Sequence, residues 1–310
     1  MRKVVFLDTV HSCLEHSLIH HGFTCIHKYN ESISEIEDEL KDAFGIVIRS
    51  RISIDKTFLK IAENLKFIAR SGSGLENIDL IECEKRHIQV ISSPEGNADA
   101  VGEHCLALLL ALANNITQAN KSVRNFTWER EKHRGFELKG KTIGIIGYGH
   151  MGKAFAKRLI GLECNVIAHD KYLKNFSDPF AHEVELETLF QDADVVSIHL
   201  PLSSETMGYV NAQFLEKFKK NIVLLNTARG NHVIAKDLID SLQTGKVTHC
   251  GLDVLPFEST SLESINPSPE FEQLIEFENV IFTPHVAGWT RESYEKLSRV
   301  LAEKIVETYC

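Results

Sequence analysis

The chain has 310 residues, which favours about two domains at roughly 150 residues each. Its 43% hydrophobic and 25% charged residues are ordinary globular values, and they exclude disordered and fibrous proteins. The 34 Lys and Arg against 43 Asp and Glu leave a formal net charge of −9, which argues against a nucleic-acid partner because such proteins usually present a basic surface.

Short apolar runs alternate with amphipathic segments of helix length, a pattern typical of an α/β protein with parallel strands. In the first part of the chain this pattern predicts strands at residues 3–7, 24–28, 45–49, 65–69 and 88–92. The helices predicted between them cover residues 11–21, 32–41, 55–62 and 78–85. These elements are enough for a small open-sheet domain.

A second series of strands follows a long apolar helix. The helix is predicted at residues 101–113, within a connecting segment at 97–128. The strands are predicted at residues 142–146, 165–168, 195–200, 222–226, 249–254 and 280–282. Residues 259–272 are rich in Ser, Pro and Glu and are interpreted as a surface excursion. Residues 290–308 are predicted as an amphipathic helix that packs onto the first domain.

The cysteines and the apolar runs bear on location. The seven cysteines include no C-x-x-C pair, so neither a zinc site nor a disulfide framework is predicted. The first apolar run is too short for a signal peptide, and the longest, residues 105–113, is too short to span a bilayer. We expect a cytoplasmic protein with no metal site and no membrane partner.

A glycine-rich turn follows the first strand of the second series. Gly147, Gly149 and Gly152 match the G-x-G-x-x-G pattern, in which the glycines permit a tight turn, backbone approach to a pyrophosphate and close helix–strand packing. Asp170 ends the next strand, 21 residues after Gly149, where a carboxylate accepts hydrogen bonds from an adenosine ribose. The motif predicts a dinucleotide site that favours NAD over NADP, a preference that the neighbouring Lys171 moderates.

Three further segments follow predicted strands, where open α/β sheets bind ligands. They are Leu-Asn-Thr-Ala-Arg-Gly at 225–230, Gly-Leu-Asp-Val-Leu-Pro-Phe-Glu at 251–258 and Thr-Pro-His-Val-Ala-Gly at 283–288. Together with residues 70–79, 97–104 and 199–202, they resemble the D-2-hydroxyacid dehydrogenase family over nearly the whole chain.

The resemblance implies a fold and a separate role for each of two domains. It implies two doubly wound parallel-sheet α/β domains, with a Rossmann-type NAD domain inserted in a flavodoxin-like substrate domain. The substrate domain is expected at residues 1–96 plus 286–310, and the NAD-binding domain at residues 97–285.

The same resemblance implies a catalytic set of Arg229, Glu258 and His285. Oxidation of a secondary alcohol needs a base for the hydroxyl proton, and histidine suits this role near neutral pH. Glu258 would fix the tautomer of the imidazole, and Arg229 would bind the substrate carboxylate as a planar, permanently charged fork. An Arg–Glu pair could instead be a structural salt bridge.

Asp253 resembles the family residue that meets the nicotinamide, although an aspartate at a strand end can simply cap a turn. The full set expected to bind NAD is Gly147, Gly149, His150, Met151, Gly152, Asp170, Leu200, Pro201, Thr227, Ala228, Arg229, Asp253, His285 and Gly288. Trp289 stands where many relatives carry a small residue, which predicts a narrower pocket beside His285.

The expected substrate is a small anionic 2-hydroxy or 2-keto acid. Ser71, Gly72, Ser73 and Gly74 resemble the family's carboxylate-binding turn, whose backbone N–H groups form an anion nest. Arg49 and Arg70 end neighbouring predicted strands, where the phosphoglycerate dehydrogenase branch holds the substrate phosphate. The two arginines could also be ordinary surface residues.

The leading interpretation is NAD-dependent oxidation of 3-phospho-D-glycerate to 3-phosphohydroxypyruvate in serine biosynthesis, without feedback through an appended regulatory domain. A D-lactate, hydroxypyruvate or glyoxylate reductase is the nearest alternative, and a NAD-sensing protein resembling corepressors of this fold is a remote one. We also expect a homodimer, because the helix at 101–113 is unusually apolar for a surface helix. Burial of that helix within the chain would explain the same pattern.

Overall fold

Twelve strands and twelve α-helices form the part of the chain that the computed structural model describes, residues 2–259 and 264–310. The strands are β1 (Arg2–Phe6), β2 (Phe23–His27), β3 (Gly45–Ile48), β4 (Phe67–Arg70), β5 (Gln89–Ser92), β6 (Thr142–Ile146), β7 (Asn165–His169), β8 (His182–Glu183), β9 (Val195–Ile198), β10 (Ile222–Asn226), β11 (Val247–Leu252) and β12 (Val280–Phe282). The helices are α1 (Ser12–His20), α2 (Glu37–Lys41), α3 (Lys56–Ile61), α4 (Leu80–Lys85), α5 (Pro94–Ala113), α6 (Ile116–Arg124), α7 (His150–Arg158), α8 (Leu186–Asp192), α9 (Ala212–Glu216), α10 (Ala235–Gln243), α11 (Pro269–Leu274) and α12 (Arg291–Tyr309).

These elements divide into two units, each built on its own parallel sheet. The first unit contains residues 2–97 and 289–310, and the second contains residues 98–259 and 264–288. The first sheet has the order β2-β1-β3-β4-β5, which is the flavodoxin order. The second has the order β12-β11-β10-β9-β6-β7-β8, a Rossmann arrangement with one added strand. The predicted fold class is confirmed.

The first unit packs both faces of its sheet. Gly45 lies under the ring of Phe67, and a Cβ at Gly45 would come within 2.1 Å of that ring. Leu301 and Ile305 of α12 are buried in the same core, which confirms that the C-terminal helix packs onto the first unit. Thr290 starts α12 by accepting a hydrogen bond from the Ser293 N–H at 3.0 Å, a cap typically contributing about 1 kcal/mol.

The long helix α5 crosses from the first unit into the second and supplies part of the second core. Cys105, Leu109 and Leu112 of α5 are buried there, among side chains of β6 and α7. Burial within the chain therefore accounts for the apolar residues at 101–113, and they give no separate reason to expect a dimer. Within the described residues no single helix is long and apolar enough to cross a membrane; α5 and α6 meet that test only together, and they are bent by 60°.

The structure differs from the predicted elements where local turns interrupt a pattern. The helix predicted at 32–41 is split into a 3₁₀ segment, Ile33–Glu35, and α2, because the backbone of Ile36 between them leaves the helical conformation, with a φ of −121° and a ψ of 15°. Helix α6 was not predicted as a separate element; it begins after Asn115, whose φ of 51° ends α5. Within the predicted surface excursion, α11 is a helix, and residues 260–263 lie outside the described part of the chain.

Candidate active site

The residues predicted to bind a dinucleotide come from loops at one edge of the second sheet. Gly147 follows β6, Asp170 follows β7, Thr227 follows β10 and Asp253 follows β11, while Leu200 lies two residues beyond β9. All these strands are parallel, so their carboxyl ends share that edge. The chain switches direction across the sheet at β6, which lies between β9 and β7, and such a switch point is where open α/β sheets bind ligands.

The glycine-rich turn has the geometry that its three glycines predict. Gly147 has a φ of 91°, and a Cβ there would lie 2.6 Å from the His199 carbonyl oxygen. A Cβ at Gly152 would lie 2.1 Å from the Gly147 carbonyl oxygen, so helix α7 packs tightly under the turn. At Gly149 a Cβ would meet no other atom of the described chain within 4 Å. This open face, at the N-terminus of α7, fits a pyrophosphate approached by backbone N–H groups.

Asp170 organises the loop that follows β7. Strand β7 ends at His169, one residue beyond the predicted range of 165–168 and directly before Asp170. One carboxylate oxygen accepts the Tyr148 N–H at 2.9 Å, and the other accepts the Tyr172 and Leu173 N–H groups at 2.9 and 3.0 Å. Partial burial opposes ionisation of Asp170, but the three N–H groups outweigh it and lower its pKa. Asp170 thus ties the glycine turn to the β7 loop; its bond to a ribose stays a prediction.

A second anchor of the glycine turn was missed at the sequence level. The Tyr148 hydroxyl donates to Asp178 at 2.9 Å, and its ring stacks on Phe176 with centroids 5.0 Å apart. Lys153 of α7 pairs with the same Asp178 at 3.0 Å. Tyr148 is the variable residue between Gly147 and Gly149, so the motif itself gives no signal for this anchor.

The loop that carries Arg229 is held by a buried amide. Asn226, which ends β10 and is fully buried, accepts the Ala228 N–H at 3.1 Å and donates to the Arg229 carbonyl oxygen at 2.9 Å. A Cβ at Gly230 would lie 2.0 Å from the Leu255 carbonyl carbon, so the Arg229 loop and the loop after β11 are in close backbone contact. Asn226 lies in the quoted motif, but its positioning role was not predicted.

The predicted catalytic pair is in contact. The Nδ1 atom of His285 lies 2.7 Å from Glu258 Oε2, and both side chains keep about a fifth of their surface exposed, at 23% and 20%. Glu258 also accepts the Leu255 N–H through its other oxygen, which fixes the carboxylate. His285 has a φ of 54°, a left-handed conformation in which asparagine, aspartate and histidine are the enriched non-glycine residues.

Asp253 holds the His285 loop. Its side chain is 1% exposed, and its two oxygens accept the N–H groups of Val286 and Ala287 at 2.9 and 2.8 Å and the Thr283 hydroxyl at 2.6 Å. Its carbonyl oxygen accepts the His285 N–H at 2.8 Å. Asp253 therefore positions the His285 loop by capping its turn, the alternative role that an aspartate at a strand end can take. Its contact with a nicotinamide stays a prediction.

The remaining residues predicted to bind NAD differ in accessibility. His150 and Pro201 are exposed, and Met151, Leu200 and Gly288 are half-buried. Thr227 and Ala228 are buried, and the Thr227 hydroxyl lies 3.0 Å from Cys105 Sγ, so these two can reach a ligand mainly through their backbone. Among the described residues, no cluster of three or more His, Cys, Asp or Glu is arranged to hold a metal ion.

The first unit contains the residues predicted to bind the substrate. Arg70 ends β4, and its guanidinium lies against Gly72, where a Cβ would come within 1.4 Å of Nη1. Gly72 has a φ of 147°, and its carbonyl oxygen accepts the Ser93 N–H at 3.1 Å. Ser71 and Gly74 are buried, and the Ser73 hydroxyl donates to Asn97 at 2.8 Å. The turn at 71–74 is therefore braced by neighbouring loops of its own unit.

Arg49 directly follows β3, and its guanidinium lies against the indole of Trp289, with Cζ 4.0 Å from the ring centroid. The backbone N–H of Arg49 donates to Asp8 at 2.5 Å. Trp289 was expected to narrow a pocket beside His285; the structure places its ring against Arg49, a contact that the sequence did not indicate.

Comparison with known proteins finds a family match that covers most of the second unit. Residues 106–287, more than half of the chain, match the family described as D-isomer specific 2-hydroxyacid dehydrogenase, NAD binding domain. The chain is similar to the D-3-phosphoglycerate dehydrogenase of Archaeoglobus fulgidus, at 38% identity over 90% of this chain and 52% of that protein. It is also similar to the hydroxypyruvate reductase of Thermotoga maritima, at 35% identity over 84% of this chain and 83% of that protein.

A solved structure agrees with these matches. The D-lactate dehydrogenase of Aquifex aeolicus complexed with NAD and lactic acid superposes with a TM-score of 0.81 at 25% identity, covering 99% of this chain and 94% of that one. The chain spans about half the length of the curated phosphoglycerate dehydrogenases that it matches, 52% and 56% in two examples.

Proposed function

Because the chain belongs to the D-isomer specific 2-hydroxyacid dehydrogenase family, we propose that it is a NAD-dependent oxidoreductase that transfers a hydride between a D-2-hydroxy acid and NAD. The observation that carries this proposal is the contact of 2.7 Å between His285 Nδ1 and Glu258. A partly exposed imidazole fixed by a carboxylate is the arrangement that general base catalysis on an alcohol requires.

The proton chemistry follows from the tautomer. Glu258 accepts the Nδ1 proton of neutral His285, which leaves Nε2 with the lone pair that takes the hydroxyl proton of the substrate. When bound, NAD supplies the acceptor for the hydride that leaves the same carbon. In the reverse direction the protonated imidazole returns its proton to the oxygen of the keto acid. The imidazolium formed in the forward direction is stabilised by the Glu258 carboxylate.

Arg229 binds the carboxylate of the substrate and polarises the carbonyl that forms. A guanidinium is charged at all relevant pH values and donates through a planar fork, so it can serve both oxygens without changing its protonation state. The buried Asn226 and the close contact at Gly230 keep the backbone that carries Arg229 fixed, which supports this role.

The chain is divided by role in this proposal. The second unit is the NAD-binding domain, predicted at residues 97–285, and the first unit is the substrate domain, predicted at residues 1–96 with 286–310. The structure divides the units after residues 97 and 288 instead. Asp170 binds the adenosine ribose, the glycine turn and α7 bind the pyrophosphate, and Asp253 serves the nicotinamide end. The turn at 71–74 contributes N–H groups to the substrate carboxylate. The open face at Gly149 supports the pyrophosphate position.

The substrate that we propose is 3-phospho-D-glycerate, oxidised to 3-phosphohydroxypyruvate, as in serine biosynthesis. Arg49 and Arg70 would bind its phosphate, and two guanidinium groups at neighbouring strand ends suit a dianion better than a neutral tail. The match to phosphoglycerate dehydrogenases, 38% identical in one case, supports the choice. We place the enzyme in the cytoplasm, as the reduced thiols predict.

Hydroxypyruvate reduction is the second candidate. It is favoured by the Thermotoga maritima relative, because this chain aligns with 83% of that protein rather than with half of it. Reduction of pyruvate or glyoxylate, as in a D-lactate or glyoxylate reductase, would use the same three catalytic residues.

A substrate panel with NAD tests the choice. Coenzyme reduction or oxidation is followed at 340 nm with 3-phosphoglycerate, D-lactate and D-glycerate in one direction and the matching keto acids with glyoxylate in the other. The proposal expects kcat/KM to be highest for the phosphorylated pair. Efficient reduction of hydroxypyruvate or glyoxylate, with no reaction of 3-phosphohydroxypyruvate, would contradict the substrate while leaving the chemistry in place.

A further inference from the structure

An ionic contact crosses the end of the strand that carries the glycine turn. Lys171 and Tyr172 follow β7, and Glu205 lies beyond β9. The Lys171 ammonium lies 2.5 Å from Glu205 Oε2, and the Tyr172 hydroxyl donates to the same oxygen at 2.7 Å. Strands β7 and β9 are the two neighbours of β6. The contact therefore joins the loops on either side of the carboxyl end of β6, where the glycine turn begins.

Both loops are shaped to present these side chains. Asp170 accepts the N–H groups of Tyr172 and Leu173, which folds the start of the β7 loop. On the other side, Thr206 accepts the Ser203 N–H at 2.8 Å and donates to the Pro201 carbonyl oxygen at 2.6 Å. The 203–206 turn that carries Glu205 is thus closed by its own hydrogen bonds. The Lys171–Glu205 contact is not a chance meeting of two unstructured loops.

The contact changes the net charge that a ligand meets beside Asp170. Lys171 directly follows Asp170, so its ammonium is the cation adjacent in the chain to the carboxylate assigned to the ribose. NADP differs from NAD by a 2′-phosphate on that ribose, and a free ammonium there would attract it. Glu205 neutralises Lys171; the same hydrogen bond raises the pKa of Lys171 and lowers that of Glu205.

We propose that Glu205 is a coenzyme-selectivity residue: by holding Lys171 on the 203–206 turn, it withholds that ammonium from the 2′-phosphate of NADP. The inference rests on the proposed use of NAD and assigns the selectivity to two residues rather than to Asp170 alone. It explains how Lys171 can directly follow Asp170 in a chain that we expect to prefer NAD over NADP. Both side chains are more than half exposed, at 63% and 55%, so the interaction stabilises the fold little and its removal leaves the protein folded.

The variant Glu205→Gln tests this by isothermal titration with NAD and with NADP, without any turnover. We expect the Kd for NADP to fall about three- to fivefold, the size of effect that release from an exposed ion pair can give, and the Kd for NAD to stay within 1.5-fold of the wild type. Glu163→Gln is the matched control, because it removes the same charge from the exposed Lys139–Glu163 pair, 2.8 Å apart, at the amino end of β7. The control should change neither affinity.

The double variant Lys171→Met/Glu205→Gln identifies the group that Glu205 restrains. It should return the Kd for NADP to within 1.5-fold of the wild-type value, because the ammonium is gone. If Glu205→Gln leaves the NADP affinity unchanged, or strengthens both coenzymes alike as a general charge effect, the inference is wrong although NAD use stands. If the wild type binds neither coenzyme, the proposed function fails and this inference fails with it.

Discussion

The side chains of Arg49 and Trp289 bear on substrate choice in a way that only the structure reveals. A guanidinium 4.0 Å from an indole centroid gains about 0.5–1 kcal/mol at an exposed site. This contact restricts the rotamers of Arg49. In the proposed function, Trp289 would thereby pre-orient Arg49 for the substrate phosphate.

Replacement of either arginine should affect the phosphorylated substrate most. A charge-assisted hydrogen bond to phosphate contributes about 1.5–3 kcal/mol, so Arg49→Ala or Arg70→Ala should lower kcat/KM for 3-phosphoglycerate roughly 10- to 150-fold. Activity on D-lactate should change far less, because its carboxylate is assigned to Arg229. Steady-state kinetics on both substrates measures the difference.

Arg299→Ala, an exposed arginine of α12 in the same unit, is the control for loss of one positive charge and should leave both rates unchanged. The chain has two tryptophans, so Trp128→Phe leaves Trp289 as the sole emitter beside Arg49. Its fluorescence should respond to 3-phosphoglycerate, and Arg49→Ala should abolish the response. Equal losses on both substrates would show that the arginines are structural.

At the scale of elements, the loops after β10 and β11 are in direct backbone contact. Gly230 of the first loop lies so close to Leu255 of the second that no side chain fits between them. The second loop continues to Glu258, whose carboxylate accepts the Leu255 N–H. The loop backbones that carry Arg229 and Glu258 therefore depend on the same contact, and a change there should displace both catalytic side chains.

We expect Gly230→Ala to lower kcat at least tenfold and to weaken NAD binding by a smaller factor, because the glycine turn and Asp170 lie outside these two loops. The added Cβ would lie 2.0 Å from the Leu255 carbonyl carbon, so backbone has to move and the two loops separate. Single-turnover kinetics and coenzyme titration report the two effects, and the thermal midpoint shows that the variant is folded. A wild-type kcat would mean that the contact yields without disturbing the site.

The helices and strands could be predicted from the sequence more completely than the hydrogen bonds that hold the site residues in place. Buried parallel strands such as β3 and β10 are continuous apolar runs, and the glycine spacing around Gly147 belongs to one turn, so both were predictable. Local backbone conformation was not predictable in the same way: the non-helical φ of −121° at Ile36 splits a helix inside a continuous amphipathic pattern. The role of Asn226 was missed because an amide that bonds backbone two and three residues away leaves no periodic signal.

On the scale of the whole molecule, exposed aromatic side chains offer a better reason for self-association than helix α5. Phe126 is 99% and Trp128 78% exposed, directly after α6, where Ile116 and Val123 are also exposed. Large apolar groups gathered on one surface of a protein are typical of interaction sites. We therefore propose that a homodimer forms through this region rather than through α5.

Light scattering should give about twice the 35.0 kDa mass of the chain at micromolar concentration. Phe126→Ser with Trp128→Ser should shift the mass toward that of a single chain, whereas Ile19→Ser, an exposed apolar residue of α1, should leave it unchanged. A single species of 35.0 kDa in the unaltered protein would refute the dimer.

The variant His285→Asn tests the central claim, that His285 is the base of an NAD-dependent dehydrogenase, most directly. Asparagine tolerates the φ of 54° at this position and can still donate to Glu258, so the loop is kept while the base is lost. Turnover at 340 nm should fall about 10²–10⁴-fold, with the Kd for NAD within threefold of the wild type and with His20→Asn, an exposed histidine of α1, fully active. Wild-type turnover by His285→Asn would contradict the account.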